Sequence, residues 1–177
     1  MTQRGPTPRR ARPRATPARK RVGPVPRGVH AVTPQLTVRD AARATDFYRR
    51  ASGARELLRM TGPDGRLTHV EIRIADSILF LADEAPERGN RPPESLGGNS
   101  GSFHVYVPDV DRALRRAVGA GARARMPLAG MRWGDRYGKP ADPFGHEWGL
   151  ATRVEELTPA QQRTRAEAFF KQAGQHG

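Results

Sequence analysis

The chain has 177 residues, no cysteine and a net charge of +13. That length holds one core-forming domain or two small intimate modules. The lack of cysteine excludes a disulfide framework, thiolate metal ligands and a cysteine nucleophile, and no apolar run reaches the ~20 residues of a membrane-spanning helix; both are compatible with a cytoplasmic protein. The charge is uneven: residues 1–29 hold nine Arg or Lys and no acid, whereas residues 30–177 hold 22 basic and 18 acidic residues.

In chain order, residues 1–29 come first, with six prolines and no aromatic residue. Such a segment buries too little apolar surface to offset its ordering entropy, so it reads as a disordered basic tail. It lacks the apolar stretch of a secretory signal. Its charge suits phosphate, and so nucleic acid or an anionic membrane surface as a partner; the expectation is a solvated extension instead. The domain proper is expected over 30–155.

Its first module spans 32–82. Thr33–Arg39 alternates as a strand does. Asp40 suits the N-cap of a helix whose apolar face is Ala41, Ala44, Phe47, Tyr48 and Ala51, and Gly53 ends it. Ala54–Thr61 reads as a strand, the Gly62–Gly65 stretch as a turn, and Leu67–Ile74 and Ser77–Ala82 as two further strands. Residues 83–101, rich in Pro, Gly and charge, read as a linker. A second module, 102–152, repeats the order. Ser102–Val107 is a strand, Asp109 a cap, and Val110, Ala113, Leu114, Ala117 and Val118 form a helical stripe ended by Gly121. Strands are expected at Met126–Trp133, Asp135–Ala141 and Glu147–Thr152. Residues 156–177 carry a C-terminal helix opened by a capping box at Thr158–Gln161, with Ala166, Phe169, Phe170 and Ala173 on one face.

The two modules are an internal duplication. Val38-Arg39-Asp40 and Val107-Pro108-Asp109 are offset by 69 residues, and Gly53-Ala54-Arg55 and Gly121-Ala122-Arg123 by 68. Each copy reads β-α-β-β-β, so the fold class is α+β.

In this order, Val32-Thr33-Pro34, Val38 to Ala42, Phe47-Tyr48, Gly53-Ala54, Trp133 to Gly138, Asp142 to His146 and Trp148 resemble the glyoxalase/bleomycin-resistance (vicinal oxygen chelate) superfamily, nearest its PhnB-like branch. The likeness covers about residues 31–155. It implies paired βαβββ modules in a curled mixed sheet around a cavity, a homodimer, and a small organic molecule as ligand. Catalytic members bind a divalent metal through His and Glu at four strand positions. The resemblance puts Thr33, Phe80, Ser102 and Gly149 there, and none offers an imidazole or a carboxylate. No metal and no other cofactor is therefore expected. A displaced site would have to use His104, Glu147, His69 and Glu71.

The function expected is small-molecule binding, of the resistance or sequestration type. The rival is a glyoxalase-like lyase, isomerase or dioxygenase with a displaced metal, or with His104 as a metal-free base. The candidate ligand-binding residues are Gln35, Phe80, Ser102, His104, Tyr106, Trp133 and Arg136. Trp133, Asp135 and Arg136 offer a platform, an acid and a guanidinium in one stretch, and Gly134 would let a ligand approach. Trp148 has the opposite strand parity to Gly149 and is expected in the core. Asp142 and His146 are expected to brace the turn between them.

Overall fold

The computed structural model describes residues 22–174. Most of the expected tail, residues 1–21, lies outside the described residues. Two four-stranded mixed sheets form the body. In the first, β1 (Gln35–Val38), β4 (Ser77–Asp83), β3 (Leu67–Ile74) and β2 (Arg55–Thr61) lie in that order, with β1 parallel to β4. The second repeats it with β5 (Phe103–Tyr106), β8 (Trp148–Arg153), β7 (Asp135–Ala141) and β6 (Arg123–Gly130), and β5 runs parallel to β8.

The duplication reaches down to the caps. Helix α1 (Ala41–Ser52) starts at Asp40, whose carboxylate accepts from the Arg43 amide, and α3 (Val110–Ala120) starts at Asp109, whose carboxylate accepts from the Arg112 amide. Both helices end on a left-handed glycine, Gly53 and Gly121, where a Cβ would be strained. The linker is not structureless: a 3-10 turn at Pro86–Arg88 and the one-turn helix α2 (Pro93–Leu96) each use a proline at the start.

Alternation then sorts each strand. Leu36 and Val38 of β1, Val70 and Ile72 of β3 and Leu81 of β4 are fully buried on the face that α1 covers. Each such side chain stabilises the fold by about 1.5–3 kcal/mol. The modules meet helix to helix, α1 against α3, and among the described residues no strand of one sheet pairs with a strand of the other. The sheet faces opposite the helices are left open within one chain: Gln35, Leu58, Met60, His104 and Tyr106 are all exposed there.

Several strand boundaries differ from expectation. β1 begins at Gln35, because the Thr33 hydroxyl donates to the His30 carbonyl in the preceding turn. β6 ends at Gly130, and Trp133 lies in a turn closed by the Gly134 amide donating to Met131. The capping box of α4 (Pro159–Ala173) forms as expected, but no α4 residue is buried. Phe169 and Phe170 instead flank the Arg132 guanidinium at 4.8 and 5.1 Å. No helix among the described residues is long and apolar enough to cross a membrane.

Candidate ligand-binding face

On the open face of the second sheet, alternation along β5 and β7 brings three rings together, and the turn before β7 adds a fourth. His104 stacks on Tyr137 with centroids 5.4 Å apart and planes 19° from parallel. Tyr106 lies 4.9 Å from His104, and Trp133 meets Tyr137 edge-on at 5.8 Å. Beneath them Asp135 is only 2% exposed. Its Oδ2 accepts from the Tyr106 hydroxyl at 3.1 Å and from the Trp133 indole N–H at 2.9 Å. Partial desolvation and then this carboxylate hold the Tyr106 phenol above its usual pKa, so it stays a donor. The face thus offers π surfaces over a buried acid, which suits flat or cationic groups.

The other candidate residues are dispersed. Gln35 and Phe80 are register partners on the open face of the first sheet, with Glu71 next to Phe80 and Leu58 next to Glu71. The His69 ring packs on Phe80 at 4.7 Å and pairs with Glu71 at 3.2 Å. Ser102 precedes β5 and is exposed. Arg136 does not join Trp133. It forms a two-pronged ion pair with Asp111 at the start of α3, both contacts at 2.7 Å, so it stands on the helix side of the sheet. Strand alternation sends Arg136 away from Asp135 and Tyr137, its neighbours in sequence.

Gly134 also has a different role from the one its place beside Trp133 suggests. Its φ is +97°, and a Cβ added there would sit 2.8 Å from the Glu155 carbonyl oxygen. Its own carbonyl accepts from the Val154 and Glu155 amides. The glycine lets the chain after β8 cross close behind it, not a ligand. Gly134→Ala is expected to cost about 2–3 kcal/mol from backbone strain and overpacking together. Chemical denaturation measures it; a loss below about 0.5 kcal/mol, the scale of a neutral surface change, would show that the crossing gives way.

A divalent metal does not fit these residues. Thr33 lies before β1, Phe80 packs on His69, Ser102 offers only a hydroxyl, and the space above Gly149 belongs to Tyr137. A Cβ at Gly149 would lie 2.7 Å from the Tyr137 hydroxyl. The displaced set is split, His69 and Glu71 on the first sheet against His104 and Glu147 around the second, and Glu147 is held by Lys139. Among the described residues, no group of three or more His, Asp or Glu could hold a metal ion.

Sequence reading missed the main tie between modules. Asp142, 1% exposed, accepts from the Phe144 and His146 amides at 2.9 Å each, which is the expected turn. It also accepts from Tyr48 of α1 at 2.5 Å and from the Trp148 indole N–H at 3.0 Å. Burial, and then the Asp142 charge, push the Tyr48 phenol well above its ordinary pKa. His146 Nε2–H reaches the Thr37 carbonyl of β1 at 3.1 Å, a second tie between the modules. Trp148 packs against Tyr48 and Phe103, at 5.4 and 4.9 Å between centroids.

The duplicated β-α-β-β-β units, the turn from Asp142 to His146 and the open sheet faces define a class, and comparison agrees. The glyoxalase/bleomycin resistance protein/dioxygenase superfamily matches residues 28–150, and the chain belongs to it. It is 45% identical over 130 residues to an uncharacterized protein of Mycobacterium bovis, covering 72% of this chain and 86% of that protein. Among solved structures it is similar to TioX from Micromonospora sp. ML1, at 28% identity and a TM-score of 0.54, covering 69% of this chain and 97% of that one. It shares its fold with a PhnB protein of Bacillus cereus, at 16% identity and a TM-score of 0.55 over 70% of this chain and 99% of that one.

Proposed function

We propose that this protein binds a small organic molecule on the open face of its second sheet, without a transition metal, as a sequestering or resistance-type binder. The observation that carries this reading is the ring cluster of His104, Tyr106, Trp133 and Tyr137 gathered over Asp135 on that face. Rings fix a flat molecule through buried area and stacking, and the carboxylate favours a cationic or hydrogen-donating group. Gln35 and Phe80 on the first sheet supply the opposing wall when a second copy of the chain closes the face, since Leu58 and Met60 are also left uncovered beside them. The protein is thus expected to be a homodimer, which sedimentation of the purified protein would register.

Elemental analysis of the purified protein tests the metal-free reading. It should find far less than one transition metal per chain, and His104→Ala should leave that content unchanged. Retention of about one tightly bound metal per chain, as an open catalytic site would hold, with its loss in His104→Ala, would overturn the reading and restore the enzyme.

A further inference from the structure

A cavity lies away from the ring cluster. It is on the helix side of the second sheet, between α1 and α3, has a volume of about 410 Å³, and is walled by apolar side chains including Phe47, Val105, Ala117 and Leu150. Small-molecule sites commonly have volumes of roughly 300–1,000 Å³.

We propose that this cavity is a second ligand site and that it takes a small amphipathic carboxylate, apolar end inward and anionic end at the mouth. The inner end has nothing polar to offer. Asp142 reaches the cavity, but its two oxygens already accept four hydrogen bonds, and the donors of Tyr48 and Trp148 that line the wall are spent on it. A cation would find no open acceptor there, and an anion would meet the Asp142 charge. An apolar group meets neither penalty. The mouth is different. Arg112 lines it, is exposed, and has no ion pair among the described residues. Arg116 beside it donates to the carbonyls of Arg49 and Arg50 at the end of α1, which fixes its guanidinium in place, and among the described residues it has no ion pair. Against these two cations stands Asp109, whose carboxylate is engaged in capping α3. An anionic head group is therefore drawn to Arg112.

Decanoate is the probe, and intrinsic fluorescence the readout. The chain has two tryptophans, so the full-length Trp133→Phe protein leaves Trp148, in the cavity wall, as the only reporter. Decanoate should alter its emission saturably. Arg112→Gln should weaken that binding about tenfold, the scale of one charge-assisted contact, and Arg112→Lys should restore most of it. Ala113→Phe, projecting from α3 into the space, should abolish it; if that variant fails to fold, the exposed Arg112 pair still decides the matter. Binding indifferent to Arg112→Gln, or no saturable change, would overturn the proposal. So would decanoate binding that is seen in the wild type and disappears in Trp133→Phe, since that places it on the opposite face. Neither result touches the metal content, on which the reading of the ring cluster is tested.

Discussion

Replacing Asp142 with alanine should destabilise the protein by about 3–5 kcal/mol, the cost of removing one partner from a buried charged network. For a chain of this size the melting midpoint should fall by on the order of 10 °C. Four donors lose their acceptor at once: two turn amides, the Tyr48 hydroxyl and the Trp148 indole. They belong to both modules, so the loss is both local and between α1 and the second sheet. Asp142→Asn keeps an acceptor oxygen and should cost less. The Tyr48 end makes a separate prediction about pH. The folded phenol titrates well above the ordinary tyrosine value, through burial first and the Asp142 charge second. Its contribution is therefore full below the unfolded pKa of about 10 and declines as pH rises from there towards the folded value. Stability curves should show that alkaline decline in the wild type and a shallower one in Tyr48→Phe. If Asp142→Ala melts within a degree or two of the wild type, the modules are not joined here.

That tie was invisible in the sequence, and the reason is physical. Tyr48 and Asp142 are 94 residues apart, and no local pattern links a tyrosine on a helix face to an aspartate in a turn. What was legible is what local rules determine. Asp40 and Asp109 cap, Gly53 and Gly121 terminate, and alternation separates Leu36 and Val38 from Gln35 and Thr37. The duplication then gave the order of elements twice. The misplacement of Trp133 has an identifiable cause in β6. That edge strand shifts register between Ala124 and Met126 and again between Met126 and Ala129, around Pro127, which has no amide to donate to the ladder. Period-two reading cannot count across bulges, so the expected strand, Met126–Trp133, lies three residues further along the chain than the observed Arg123–Gly130. Arg136 failed in the opposite way. Nearness to Trp133 in sequence suggested one cluster, whereas alternation in β7 places it against Asp111. His104, Tyr106 and Tyr137 do come together on the open face, because they sit on regular strand positions.

The two tryptophans should separate stability from binding. Trp148 is 8% exposed and packs between Tyr48 and Phe103, with its N–H on Asp142. Trp148→Ala should leave a hole and one acceptor short of a donor, at a cost of about 3–5 kcal/mol. Trp133 is half-buried in a turn at the rim of the open face. Trp133→Ala removes one of two donors to Asp135 and the edge contact with Tyr137, and should cost about 1–2 kcal/mol. Its larger effect should fall on ligand: an aromatic or cationic compound bound over Asp135 should quench Trp133 in the wild type and bind more weakly to Trp133→Ala by about 1–3 kcal/mol. Paired melting and titration of the two variants decides between the faces. Should Trp133→Ala unfold early yet bind normally, while Trp148→Ala folds well and loses the ligand, the binding wall is on the helix side of the sheet and the ring cluster over Asp135 is a structural brace.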